Sequence, residues 1–223
     1  MSVVTIDGRM GSGAPELGKL VADKLHTDYV DREIIAKVAE LLNAQPRDVT
    51  AKEMPPGGLL RRIAEVLGSG YSVGGAYAAS GDYAGAYLPA WQISLDDTRY
   101  LEGLESVIKG LVRNQTIVIS GRGSQFILKD HPGAIHVLVV ASLKMRVKRI
   151  MDTFKVEEES ARKQMERSDS SRREFIKRYF REDIWDPSNY ELVLNADRLT
   201  YEDASSIIVN AVSLKKSAEL KKG

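Results

Sequence analysis

The sequence predicts an α/β fold: a parallel sheet covered by helices on both faces. Three observations predict it. Short β-branched runs at 3–6, 116–120 and 134–141 are apolar at nearly every position, as strands buried on both sides must be. The segments between them repeat their apolar residues at three and four, the period of a helix with one covered face. Glycine turns, at Gly8 and at Gly121, close the first two runs. In such sheets ligands bind at the carboxyl ends of the strands, so both glycine turns are expected to face one crevice.

Taken in order, "VVTI" is the first strand. The helix over 15–25 follows, with Leu17, Leu20, Val21 and Leu25 on one face and Pro15 suited to its first turn. A short strand at 28–31 leads to a helix over about 32–43, carrying Ile34, Ile35, Val38, Leu41 and Leu42. "LLRRIAEVL" predicts a helix near 58–67, and another spans 97–113 before the strand "TIVIS". After "AIHVLVVA" a basic helix starts at about 143, and a long charged helix covers roughly 157–180. A last strand at 191–195 precedes a helix over about 201–216.

Composition bounds the class. At 223 residues, 43% apolar and 28% charged, the chain suits one globular domain with a sizeable core. A net charge of +1 sets up no global field toward nucleic acid or a membrane, so neither is an expected partner. Cysteine is absent, which excludes disulfides and thiolate chemistry. The start, MSVVTIDGRM, has no basic n-region and no long apolar stretch, and no run approaches the ~20 residues of a membrane span. The expected address is the cytoplasm. His26, His131 and His136 are scattered and form no ligand pattern.

"GRMGSGAPE", residues 8–16, has the two glycines of a phosphate-cradling loop at Gly8 and Gly13. Ala14 and Pro15 stand where that loop carries Lys and Ser or Thr. The shape is there without the charge. Arg9, inside the loop, either supplies that charge or is a solvent-facing loop residue. Asp7 either takes part in metal binding or hydrogen-bonds the loop.

Between 68 and 89 six glycines alternate with Tyr71, Tyr77, Tyr83, Tyr87 and small residues. This reads either as a surface loop or as a cap with a tyrosine stacking on a base. The long helix is more informative. Met165, Asp169, Arg172, Ile176 and Tyr179 share one face, so Asp169 and Arg172 turn toward the protein body. They form either an i,i+3 ion pair or a charged pair retained for a ligand. Arg167, Arg173, Lys177 and Arg178 are expected on the solvated flanks. Residues 143–183 hold 13 Lys/Arg against 9 Asp/Glu, which suits a small anionic ligand.

Five stretches in order carry a resemblance: "TIDGRMGSG", "YVDREII", "VISGRGSQFIL", "VVASLKMRVKRIM" and "SDSSRREFIKRYF…DPSNYELVLNADRLT". They resemble the cytidylate-kinase-like family of P-loop proteins, relatives of the bacterial CMP kinases. The resemblance implies a three-layer P-loop fold with five parallel strands. It also implies a single domain over 1–223 with a monophosphate-binding or cap segment at about 45–115 and a lid at about 150–182. It implies ATP as phosphoryl donor, Mg2+, and small-molecule nucleotides as partners; it leaves the oligomeric state and the metal ligands open.

Residue by residue, the resemblance implies that Gly8, Arg9, Gly11, Ser12 and Gly13 hold the phosphates of ATP. Lys37 and Arg122 would bind the acceptor, with Asp169 and Arg172 on its ribose and phosphate. Arg146 and Arg149, leading into the lid, would join Asp169 as catalytic residues. Four departures stand out: Ala14 for the loop lysine, Pro15 and Glu16 for its successors, Ser120 for an aspartate, and Met165 for an arginine. The function implied is therefore an ATP-dependent nucleoside-monophosphate kinase with a degenerate loop. The alternative is a catalytically impaired nucleotide sensor or regulatory pseudokinase.

Overall fold

The computed structural model describes residues 2–31, 33–44, 46–52, 97–113 and 115–220. Its strands are β1 (Val3–Gly8), β2 (Asp28–Val30), β3 (Ile117–Ser120), β4 (Ala134–Val140) and β5 (Leu192–Asn195). All pair in parallel, in the order β2-β3-β1-β4-β5. The described helices are α1 (Ala14–Leu25), α2 (Glu33–Leu41), α3 (Pro46–Lys52) and α4 (Asp97–Leu111). They continue as α5 (Ser124–Ile127), α6 (Leu143–Phe154), α7 (Glu158–Phe180) and α8 (Tyr201–Leu220).

Alternation along the central strands builds three layers. Val3, Ile117 and Ile119 join Ile34, Tyr100, Leu104 and Ile176 in the core under α2, α4 and α7. Val4, Ile6, Val118 and Val137 join Leu17, Val21 and Ile208 in the core under α1 and α8. The five-stranded parallel sheet expected from the resemblance is thus the observed architecture. A third cluster, Val147, Ile150, Ala161 and Met165, closes the α6–α7 hairpin and reaches Met10 in the loop after β1. Ser142 caps α6 by accepting the Met145 N–H at 3.3 Å.

Because β1 and β3 are neighbours, their following loops emerge side by side. The Gly121 N–H donates to the Ile6 carbonyl at 3.2 Å. Gly121, Arg122 and Gly123 are all left-handed, at φ 68, 60 and 68.

Periodicity missed α3, α5 and the 3₁₀ turn at Pro187–Asn189, each too short to repeat a face. β5 begins one residue after the expected Glu191 and is covered at Leu194 alone, since it is an edge strand. Arg178 is not merely a solvated flank: it bonds Asp97 and lies over Tyr179. Burial pushes the Asp97 carboxyl up, but hydrogen bonds from Lys52 and Arg178 hold it below its ordinary value. The helix expected at 58–67 and the tyrosine-rich stretch lie outside the described residues. Among those described, no helix is long and apolar enough to cross a membrane.

Candidate phosphate site

Residues 8–13 turn the chain from β1 into α1. The turn needs Gly11 at φ +79 and Gly13 at φ +92, a region that side-chain-bearing residues resist. Space also forbids a side chain: a Cβ would lie 2.6 Å from the Arg146 carbonyl at Gly11 and 2.3 Å from the Tyr201 hydroxyl at Gly13.

The loop's N–H groups divide into two sets. Gly8 donates to Asp7 Oδ1 at 2.7 Å, Met10 to Asp169 Oδ1 at 3.0 Å and Ser12 to the Arg9 carbonyl at 2.9 Å. Ala14 reaches Ser12 Oγ at 3.4 Å. The N–H groups of Arg9, Gly11 and Gly13 donate to no described residue. Three open donors leading into a 12-residue helix make a cradle for an anion.

The cations stand behind this cradle. Arg146 Nε donates to the Met10 carbonyl at 2.8 Å, and its Nη2 pairs with Asp169 Oδ2. Arg146 is buried and Asp169 largely so, and the pair clamps the loop from the protein side. Arg149 Nη1 donates to the Ser12 carbonyl at 2.7 Å and the Gly11 carbonyl at 3.3 Å. Its Nη2 holds the Ala196 carbonyl at 2.8 Å, while the guanidinium lies 5.5 Å over the Tyr201 ring. Arg172 Nη1 bridges Asp7 Oδ1 at 2.9 Å and the Gly8 carbonyl at 2.5 Å. Asp7 is 3% exposed, and its Oδ2 is buried with no hydrogen-bond partner among the described residues.

The structure therefore gathers Gly8, Gly11, Ser12, Gly13, Arg146, Arg149, Asp169 and Arg172 around one turn. Asp169 and Arg172 face the protein body as the helix face predicts, but they are not bonded to each other; each has a separate partner on the loop. Arg9 stacks 4.8 Å over the Trp185 ring. Arg122 sits in the neighbouring turn after β3. Lys37 is not brought to this turn. It is exposed on α2, in a groove with Ser106, Gly110 and Gln115 just before β3 begins.

Several groups at the site gave no sequence signal. Tyr201 abuts Gly13, and Trp185 carries Arg9. Tyr190 donates to the Ile184 carbonyl at 2.7 Å and accepts from Gln125 Nε2 at 3.1 Å. Burial, with the Asp7 charge nearby, pushes its phenol well up, so it stays a neutral donor. Among the described residues no three His, Cys, Asp or Glu side chains converge as a metal cluster.

A 2-3-1-4-5 parallel sheet with an anion cradle after β1 defines a P-loop protein of the kinase type. The chain belongs to the cytidylate kinase-like family, whose profile matches residues 3–198. It is 27% identical over 212 residues to a cytidylate kinase of Sulfolobus acidocaldarius, covering 95% of this chain and 94% of that protein. A cytidylate kinase of Fervidobacterium nodosum is 24% identical over 164 residues, 68% of this chain and 69% of its own length. A local match of 30% over 101 residues covers 44% of this chain and only 19% of a uronate isomerase of Corynebacterium glutamicum. An uncharacterized protein from Eubacterium ventriosum shares the fold at TM-score 0.66 and 16% identity, over 96% of this chain and 99% of that one.

Proposed function

We propose that this protein transfers the γ-phosphoryl group of ATP to CMP or a similar nucleoside monophosphate. The observation that supports this is the pair of open N–H groups at Gly11 and Gly13, framed by Arg146, Arg149 and Arg172. In this reading the donor phosphates lie on residues 8–13, and the acceptor phosphate lies between Arg122 and Arg172. The α6–α7 hairpin is the lid. The bond from Pγ to the bridging oxygen of ADP breaks as an acceptor phosphate oxygen bonds to Pγ. An acceptor phosphate is already ionised near neutral pH, so no general base is needed. Transfer of this kind depends on positioned positive charge.

Magnesium fits one feature of the site. Asp7 Oδ2 is a buried carboxylate oxygen with no described partner, the kind that a hydrated magnesium ion on substrate phosphates takes. The ion would neutralise charge on the transferring group. Lys37 has no role in this reading, because it lines the α2–α4 groove.

The second reading, a nucleotide sensor with impaired chemistry, is favoured by Ala14, Pro15 and Glu16 in the loop. One experiment separates the two: ATP binding and phosphotransfer to CMP, measured with magnesium. Binding with turnover supports the kinase, binding without turnover supports the sensor, and no binding overturns both. The triple variant Ala14→Lys, Pro15→Gly, Glu16→Thr should tighten ATP binding about tenfold. An unchanged affinity would mean the loop lacks no charge.

A further inference from the structure

The loop's bonds follow an alternating pattern. Each peptide unit joins the carbonyl of one residue to the N–H of the next, and resonance couples the two ends. The carbonyl of Met10 belongs to the unit that carries the Gly11 N–H, and that of Ser12 to the unit that carries the Gly13 N–H. Those two carbonyls accept from Arg146 Nε at 2.8 Å and from Arg149 Nη1 at 2.7 Å. Both units keep their N–H groups open, as does the Gly8–Arg9 unit, whose carbonyl accepts from Arg172 Nη1. The carbonyl of Arg9 is instead bonded inside the loop, by the Ser12 N–H. Arg149 also reaches the Gly11 carbonyl at 3.3 Å, but its shorter bond, like the bond of Arg146, is to a unit whose N–H faces the cradle.

We infer that Arg146 and Arg149 are positioning residues that charge the phosphate loop from behind, in place of a lysine in front. A guanidinium on a carbonyl draws electron density across the peptide and makes its N–H a stronger donor. The positive charge also acts directly on the cradle in a partly buried setting. Arg149 is fixed for this work by three carbonyls and by the Tyr201 ring. Arg146 is fixed by Asp169, whose other oxygen holds the Met10 N–H at 3.0 Å. A lysine at position 14 would add its charge to theirs. The inference rests on the reading that residues 8–13 hold a polyphosphate, and it says which side chains strengthen that hold.

Arg149 is the residue to test, because replacing Arg146 leaves Asp169 unpaired and threatens the fold. Three proteins are compared: the unaltered chain, Arg149→Lys and Arg149→Gln. Lysine keeps the charge and glutamine keeps a neutral donor. Affinity for inorganic tripolyphosphate and for ATP is measured by calorimetry at low and high salt. Lys163→Met, which removes a charge from the exposed face of α7, serves as the control. The expected result is near-normal affinity for Arg149→Lys, a loss of about tenfold for Arg149→Gln, and a shallower salt dependence for the latter. Near-normal affinity in both the lysine and the glutamine variants would show that the Arg149 charge does not act on the cradle, and would overturn the inference. An equally large loss in both would indicate a direct two-pronged contact with phosphate, and would overturn it as well.

A second readout needs no ligand, so it separates this inference from the function proposed above. The base-catalysed exchange of the Gly13 amide proton, followed by NMR, should be faster in the unaltered and Arg149→Lys proteins than in Arg149→Gln. Equal rates in all three would sink the inference even if ATP is bound and CMP phosphorylated. A slower rate in Arg149→Gln would sustain it even if no turnover is found.

Discussion

Two charged clusters flank the sheet, built from the same materials to opposite ends. Around the loop, Asp169 accepts from a backbone N–H and pairs with Arg146, which holds a backbone carbonyl. At the start of β4, Glu191 accepts the His136 N–H at 2.7 Å and pairs with Lys215 at 3.2 Å, and Lys215 holds the Ala134 carbonyl. Thr5 Oγ1 completes that cluster at 2.7 Å from His136 Nδ1. The lower cluster ties a strand edge and the last helix together. The upper one does the same kind of tying but leaves three N–H groups, those of Arg9, Gly11 and Gly13, without a described acceptor. A carboxylate and a cation on backbone groups is thus a structural device in one place and the back of a binding surface in the other. The open donors make the difference.

The largest break in this comparison is Asp169→Ala. It strands the buried Arg146 charge and removes the acceptor of the Met10 N–H, and should cost about 3–5 kcal/mol in urea unfolding. A loss no greater than that of a surface substitution would show that the pair is not a clamp. Next is Arg172→Ala, expected to weaken CMP binding by about 1.5–3 kcal/mol, the range for a charged hydrogen bond. Calorimetry with unchanged affinity would assign Arg172 to Asp7 and the Gly8 carbonyl alone. Glu191→Ala in the lower cluster should cost less, about 1 kcal/mol, because Glu191 and Lys215 are both partly solvated. A cost equal to that of Asp169→Ala would erase the distinction drawn between the clusters.

The smallest effect is one of pH. Burial holds the His136 imidazole below its ordinary value, against the opposing pull of Glu191 and with Lys215 and His131 adding to the lowering. A depressed folded value favours the neutral ring, so its contribution is full above the ordinary histidine value, about 6.5, and is lost as pH falls below it. Glu191 is also held below its ordinary value: burial pushes it up, but the His136 N–H and the neighbouring charges outweigh that. It therefore loses stability in the same direction, in a lower window. His136→Asn should flatten the decline in unfolding free energy between about pH 7 and 5 while leaving the carboxylate part below it. An unaltered decline over that range would place the titrating group elsewhere.

Much of this was legible along the chain. Strands apolar at every position announce burial on both faces, and β1, β3 and β4 were read to within a residue or two. The helix face through Met165, Asp169, Arg172 and Ile176 put two charges toward the interior, where the structure has them. Lys37 shows the limit of reading by position: a motif match puts it with the acceptor, and only the fold shows that it lines the groove between α2 and α4. Arg9 shows another. Its place in the loop left two readings open, and its stacking on Trp185, which no periodicity marks, was not legible in the sequence.

The sequence by itself determined the layered sheet, the turn that Gly11 and Gly13 permit, and the missing charge at Ala14. Those follow from local sterics and from burial patterns that repeat every two or every three to four residues. Only the tertiary structure decided where the arginines point. Asp169 and Arg172 are one helical turn apart and could pair with each other. Instead Asp169 reaches Met10 and Arg146, and Arg172 reaches Asp7 and Gly8. A guanidinium takes the acceptors that packing brings within about 3 Å, and here the loop carbonyls lie more than a hundred residues away along the chain.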